Sequence, residues 1–203
     1  IISVYYIEGI LQFRKGMEIK MKLTVEKGRP EIDEGRSRKE IAVYDYLDKL
    51  GIPYERADHA EAHTMEDCEE VSNALGAKVC KNLFLTNSKH SFYYLLMMPG
   101  NKPFKTAELS REIGCGHLSF AEAEEMERVL GCTPGSASVF GLMHDKEGLV
   151  ELLVDRDLLK DEYLGAHPCH NIATLKVKTK DIFTKFIKAT KHYKTEVTLR
   201  GQS

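Results

Sequence analysis

The chain has 203 residues, 42% hydrophobic and 30% charged, a length and balance that suit one globular domain with a real core and exclude a disordered or fibrous chain. Twenty-nine basic against 31 acidic residues leave a formal charge of −2, which argues against tight, nonspecific binding to long polyanions, because phosphate affinity normally needs a basic surplus. The longest apolar run, Phe92 to Met98, is strand-sized and well short of the roughly 18 residues of a membrane span.

Residues 1–36 read as an N-terminal extension, either upstream sequence or an added strand. Arg14 and Lys15 follow its apolar stretch instead of preceding it, as a secretory signal requires. Ser37-Arg38-Lys39-Glu40 has the form of a capping box, followed by an apolar stripe of Ile41, Tyr44 and Leu47 and a stop at Gly51 and Pro53. Thr64-Met65-Glu66-Asp67 predicts a second helix with Met65, Cys68, Val71 and Leu75 on one face, ended by Gly76. Val79–Leu85 and Phe92–Met98 predict a hairpin around the polar turn Asn87–His90. A short helix suits Thr106–Ile113, and Ser119-Phe120-Ala121-Glu122 predicts another, carrying Phe120, Met126, Val129 and Leu130 up to Gly131. Leu142–His144 and Leu149–Val154 suggest a second hairpin, Asn171–Val177 a last strand, and the run after Thr179, with Ile182, Phe183, Phe186 and Ile187, a last helix. Hairpins mixed with about five helices predict a single α/β domain with a mixed, largely antiparallel sheet.

No P-loop, dinucleotide glycine motif, nucleophile elbow or His-Glu-x-x-His appears. Three local features carry chemistry instead. Strand alternation places Lys81 in step with Val79, Leu83 and Leu85, so its ammonium either snorkels to solvent or serves a cavity that takes an anion. The small-residue loop Gly131–Gly141 has amides that suit a carbonyl or phosphate oxygen, although glycine and proline also mark an ordinary helix exit. Gly165-Ala166-His167-Pro168-Cys169-His170-Asn171 joins Cys115-Gly116-His117 in offering thiols and imidazoles. Their spacing lacks the pattern of a zinc site, and a Cys–His nucleophile pair is the rival reading. The five cysteines (68, 80, 115, 132 and 169) form no Cys-x-x-Cys pair, which suggests reduced thiols in a cytoplasmic protein. Charge is unevenly spread, with eight basic against two acidic residues from Lys176 to Arg200 and seven acidic against one basic in residues 55–70. The first of these is compatible with a strip that tracks phosphates.

Lys81-Asn82-Leu83-Phe84-Leu85, the loop from Gly131 to Leu142, Asp145-Lys146-Glu147-Gly148, and His167-Pro168 followed by Asn171-x-Ala173-Thr174 stand in one order and spacing. In them the sequence resembles the YbaK/prolyl-tRNA-synthetase-associated domain family, and within it the freestanding members that deacylate alanyl-tRNA(Pro). The resemblance covers about residues 37–190, leaving residues 191–203 as a basic C-terminal tail. It implies a metal-independent, cofactor-free hydrolase of mischarged aminoacyl-tRNA, acting on the tRNA(Pro) acceptor end in the cytoplasm, with prolyl-tRNA synthetase or an elongation factor as a candidate partner and no membrane. It further implies that Lys81 contacts the terminal nucleotide, that Gly135 and Ser136 present amides to the ester carbonyl, and that His167 lies in the same site. Asn82, Ala137, Val139, Phe140, Asn171 and Thr174 would shape the substrate pocket. One position departs from the family: its loop reads Gly-x-x-x-Pro, and Val139 stands here in place of the proline. That departure keeps cysteinyl- or seryl-tRNA open as substrates. A non-catalytic tRNA- or synthetase-binding module is the rival from another class.

Overall fold

The computed structural model describes residues 23–62 and 64–201; the opening stretch read as part of an extension lies outside them as far as residue 22. Helix α1 (Arg38–Lys49) starts at Ser37, whose hydroxyl accepts from the Lys39 amide, and buries Val43, Tyr44 and Leu47. The expected capping box does not close there. Glu40 is fully buried, and its carboxylate takes hydrogen bonds from Arg36 and the Tyr44 hydroxyl instead of reaching back to the Ser37 amide. A buried ion pair with Arg36, four residues back, outcompetes the cap. Helix α2 (Met65–Leu75) follows its sequence signal closely: Thr64 and Asp67 cap reciprocally, and Gly76 ends it at φ +60°. A left-handed residue at that position is what glycine permits without steric penalty.

Among the described residues nine strands form one sheet: β1 (Thr24–Lys27), β2 (Tyr54–Asp58), β3 (Lys78–Asn87), β4 (Tyr93–Pro99), β5 (Leu118–Phe120), β6 (Val150–Asp155), β7 (Tyr163–Ala166), β8 (Ala173–Lys178) and β9 (Lys194–Val197). Their order is β1-β2-β8-β7-β3-β4-β6-β9, with β5 on β3. The β7–β3, β4–β6 and β6–β9 pairings are parallel and the rest antiparallel, so the sheet is mixed as the sequence predicts. β1 draws residues 24–27 of the expected extension into the sheet, and β9 does the same for part of the expected C-terminal tail.

Two predicted elements are replaced by others. Leu118–Phe120 is a strand because it pairs with Leu85–Asn87 of β3, so the helix that follows, α4 (Ala123–Leu130), begins at Glu122, capped reciprocally with Glu125. Leu142–His144 forms no hairpin strand. Val139–Met143 is instead a 3-10 helix capped by the Ser138 hydroxyl, and β6 lies parallel to β4. The short helix α3 spans Thr106–Glu112. The last helix, α5, runs through Thr179–Asp181, a π-helical turn Ile182–Phe186, and Ile187–Ala189.

Both faces of the central strands are covered, which explains their unbroken apolar character. Phe84, Tyr93, Leu95, Met97, Leu152 and Val154 face α1, α4 and α5 in the main core. The alternate positions Leu85, Leu96, Met98 and Leu153 face Leu109 of α3 and the C-terminal Val197 and Leu199. On that same side α2 covers another area of sheet, packing Val71 and Leu75 on Ala57 and Val79. Among the described residues no helix is long and apolar enough to cross a membrane.

Candidate active site

β3 pairs with β7 only at Lys78 and Val79, and on the same edge it meets β5 and its extension only from Phe84, whose carbonyl takes the Ala121 amide. Residues 80–83 therefore have one strand edge free. A cavity of about 450 Å³ opens along that edge. Its apolar wall comprises Cys80, Phe84, Phe120, Ala121, Met126 and Ala137, and its polar groups are Cys68, Lys81, Asn82, the Gly135 backbone and His167. Among the described residues no carboxylate and no side-chain hydroxyl lines it.

Lys81 sits between the two helix-covered areas, with Val79 packed under α2 on one side and Leu83 packed near α3 on the other. Its ammonium donates to the Lys102 carbonyl at 3.1 Å, and burial lowers its pKa, with the nearby Cys68 acting the other way. The alternation that put Lys81 in step with core residues is correct. The gap between α2 and α3 is what gives it a cavity to serve.

The loop after α4 is built by turns, and these decide which amides are free. Ser136 is buried; its amide donates to the Thr133 carbonyl at 2.9 Å, its hydroxyl donates to the same oxygen, and the Thr133 amide donates to the Ser136 hydroxyl oxygen at 3.0 Å. Ser136 therefore does not present its amide to a ligand, contrary to expectation; it braces the turn. Gly135, at φ +85°, and Ala137 line the cavity on either side of it. Val139 and Phe140 are fully buried in the 3-10 helix, with Phe140 edge-on to Phe186, so they anchor the loop from the core without lining the pocket. The Val139 departure is thus away from the cavity wall.

His167 lies in the loop that follows β7, and its Nδ1 is 2.9 Å from the Ala173 carbonyl and 3.3 Å from the Thr174 hydroxyl. Burial lowers its pKa to about 4, so the ring is neutral at pH 7. Because a carbonyl only accepts, Nδ1 carries the proton and Nε2 the lone pair. Asn171 donates from Nδ2 to the Ala62 carbonyl at 2.9 Å, tying this loop to the segment after β2. Asn171 and Thr174 support the site from behind, whereas Lys81, Asn82, Gly135, Ala137 and His167 line it.

The thiols near the site are poor nucleophiles. Burial raises the pKa of Cys68 and pushes Cys80 up to about 11. The contact with Cys132, together with burial, raises Cys169 far above an ordinary thiol. Since the thiolate is the reactive form, these side chains act as packing groups. Among the described residues no three His, Cys, Asp or Glu side chains converge to hold a metal ion.

This arrangement has relatives. The model of the aminoacyl-tRNA editing domain matches residues 59–185. The chain belongs to this family. The editing domain is 31% identical over 148 residues to the prolyl-tRNA editing protein ProX of Acetoanaerobium sticklandii, a match spanning 73% of this chain and 90% of that protein. It is also 31% identical over 150 residues to the prolyl-tRNA synthetase associated domain-containing protein 1 of Mus musculus, spanning 72% and 88%. In fold it is similar to a crystal structure of a candidate trans-editing enzyme for prolyl tRNA synthetase, with a TM-score of 0.59, 20% identity, and coverage of 80% of this chain and 98% of that one.

Three groups at the editing-domain cavity were not foreseen. In sequence Cys68 reads as part of a helix face and Phe120 as part of a helix core, yet both line the cavity. His59, behind the cavity, is 2.9 Å from the Thr174 hydroxyl. A contact across 115 residues leaves no local trace in the sequence. The only signal at His59 is its place between a strand and a helix cap, where loop residues often carry function.

Proposed function

We propose that this editing domain is a trans-editing deacylase that hydrolyses the ester of mischarged tRNA(Pro), with alanyl-tRNA(Pro) as its substrate. The observation that carries the reading is Lys81: a desolvated ammonium on a free strand edge, over a small apolar pocket, with a backbone carbonyl as its hydrogen-bond acceptor. A cation there suits the terminal phosphate or ribose of an acceptor end. The apolar wall of Cys80, Phe84, Ala121, Met126 and Ala137 suits a short side chain. Synthetases discriminate poorly between small apolar substrates, since a missing methylene is worth about 1–3 kcal/mol, so a second, smaller sieve is useful.

Among the described residues the cavity offers no hydroxyl, carboxylate or ready thiolate as nucleophile. Water therefore attacks the ester carbonyl, assisted by the vicinal ribose hydroxyl. The carbonyl–oxygen bond breaks, the ribose oxygen leaves with one proton of the water, and the amino acid departs as its carboxylate, the second proton passing to solvent. An aminoacyl ester is already activated, so positioning and stabilisation of the oxyanion supply the remaining rate. Lys81 and Asn82 hold the terminal nucleotide, Gly135 and Ala137 face the carbonyl, and His167 borders the reacting ester. The reaction takes place in the cytoplasm on a tRNA gripped at its acceptor end, with prolyl-tRNA synthetase or an elongation factor as the delivering partner.

A second specificity within the same chemistry, cysteinyl or seryl ester, draws on the Val139 departure. The position of Val139 in the core, away from the cavity wall, favours the alanyl reading. The test is deacylation of tRNA(Pro) charged separately with alanine, proline, cysteine and serine, by wild type and Lys81→Ala. Rapid loss of the alanyl ester with the prolyl ester spared supports the proposal. An intact alanyl ester overturns it, and equal activity in the variant removes Lys81 from its role.

A further inference from the structure

The deacylation scheme gives no part to His59, yet His59 is built into the site. It follows β2, is 6% exposed, and its amide donates to the Ile172 carbonyl at 3.0 Å. Its Nδ1 is 2.7 Å from the Ala60 carbonyl and its Nε2 is 2.9 Å from the hydroxyl of Thr174, a fully buried residue. The His59 and His167 ring centroids are 5.9 Å apart, with the Thr174 oxygen in contact with a nitrogen of each.

The proton positions follow from which groups can only accept. The Ala60 carbonyl requires a proton on His59 Nδ1, so in the neutral ring Nε2 holds a lone pair. The single hydroxyl proton of Thr174 then goes to His59. The Thr174 oxygen is left with lone pairs toward His167 Nδ1, and the Ala173 carbonyl beside it also only accepts. His167 can satisfy both only as the Nδ1–H tautomer. Its Nδ1 edge is turned to β8, which leaves Nε2 as the ring nitrogen available to a ligand in the cavity.

We propose that His59 is a positioning residue of the editing site, which acts through the Thr174 hydroxyl to hold His167 with Nδ1 protonated and Nε2 as a fixed acceptor for the proton of the attacking water or of the vicinal ribose hydroxyl. The substrate half of this inference rests on the deacylase reading; the tautomer half does not. Burial keeps His59 neutral by lowering its pKa, against the pull of Asp58 and Asp67. The charged neighbours that bear on His167 are His59 and His170. Without His59 to receive it, the Thr174 proton would turn toward His167 Nδ1 and compete with the Ala173 carbonyl, which would then be the one group holding Nδ1–H.

The test uses the full chain with 15N-labelled histidine. The nitrogen shifts of His167 in wild type are expected to report Nδ1–H. In His59→Phe, which releases the Thr174 proton toward His167 Nδ1, that signature should become mixed, while single-turnover deacylation slows about tenfold or more, the size seen when a partner that orients a metal-bound histidine is lost. Thr174→Val has no hydroxyl proton to compete and should keep Nδ1–H through the Ala173 carbonyl. KM should stay within about twofold, since no group that touches the nucleotide has changed. His59→Gln carries an oxygen near the Nε2 position and should restore both readouts, and adding Thr174→Val to His59→Phe should restore Nδ1–H, because the competing hydroxyl proton is gone. A wild-type spectrum showing Nε2–H overturns the proposal, as does a folded His59→Phe with the native tautomer and full rate. If wild type fails to deacylate any ester, the substrate reading falls, and the nitrogen shifts still decide the tautomer relay.

Discussion

Lys81 donates a hydrogen bond to the Lys102 carbonyl at 3.1 Å, and Lys102 is itself fixed by its own ammonium, which reaches Asp155 at 2.6 Å, Asp157 at 2.7 Å and the Leu199 carbonyl at 2.9 Å. One lysine thus holds the turn that receives the other. Two ammonium groups serve different purposes here because one is surrounded by carboxylates and the other by none. Lys102 has its pKa raised, the cost of burial being outweighed by Asp155 and Asp157, whereas that of Lys81 is lowered by burial.

Replacing Lys81 separates function from stability. Lys81→Met removes a partly buried cation whose acceptor among the described residues is a backbone carbonyl, so thermal melting should be unchanged or slightly higher. The deacylation rate should fall about 100-fold, the size reached when a bound substrate loses a group that positions its reacting ester. A melting scan alongside single-turnover kinetics checks this, and a large drop in melting temperature would show that the ammonium is structural.

Lys102→Met should behave in the opposite sense. Asp155 is 1% exposed, and without Lys102 it keeps an amide donor from Asp157 but loses its cation. Orphaning a buried charge costs about 3–5 kcal/mol, so urea unfolding should shift strongly toward lower denaturant. Activity should fall as well, by less than in Lys81→Met, because the turn under Lys81 loosens. A variant as stable as wild type would mean that water replaces the ammonium.

Glycines at the two ends of the loop predict different failures. A Cβ on Gly135 would meet nothing within 4 Å, so Gly135→Ala costs only its left-handed backbone, about 1–2 kcal/mol. Deacylation should suffer more than stability, as the amides on either side of Ser136 move. A Cβ on Gly141 would lie 2.8 Å from the Leu130 carbonyl oxygen and 2.9 Å from the Leu130 Cβ. Gly141→Ala should therefore unfold the packing of the 3-10 helix on α4, and its soluble yield and melting temperature should drop sharply. Gly135→Ala with wild-type kinetics would count against a role for that turn.

These contrasts also show what the sequence could and could not disclose. α2 was legible because its start and stop are local: Thr64 meets Asp67 three residues on, and Gly76 closes it. The β3–β4 hairpin was legible for the same reason. Glu40 misled because its partners, Arg36 and Tyr44, are chosen by burial. Phe120 misled because a strand edge 35 residues upstream claimed it, overriding the helix signal at Ser119. In the site, Lys81 and His167 stood out in sequence as a misplaced charge and an odd imidazole. His59 depends on hydrogen bonds whose geometry exists only after the β2–β8 contact has formed. Ser136, by contrast, bonds to Thr133, three residues back, and is hidden because residue spacing does not tell a closed turn from a loop with free amides.

The pH dependence isolates the buried histidines. His59, His144 and His167 all have lowered pKa values, each chiefly by burial, with His167 at about 4. A histidine depressed in the folded state is neutral in both states above about pH 6.5, where it has no effect on stability. As pH falls below that value the unfolded chain takes up protons that the folded chain refuses. Stability is therefore lost progressively from about pH 6.5 toward pH 4, and the contribution of His167 levels off below its folded pKa. Carboxylates with lowered pKa values, such as Asp145 and Glu125, titrate in the unfolded chain from 3.8 and 4.5 and matter mainly below this window. Melting temperature measured every half unit from pH 4 to 8 should decline on the acid side, and His167→Asn should flatten part of the slope. The enzyme-catalysed rate, corrected for the base-catalysed loss of free ester, should hold its Nε2-dependent plateau well below pH 6.5, since His167 stays neutral there. An acid limb centred near 6.5 would place a solvent-exposed histidine, not His167, in control of the reaction.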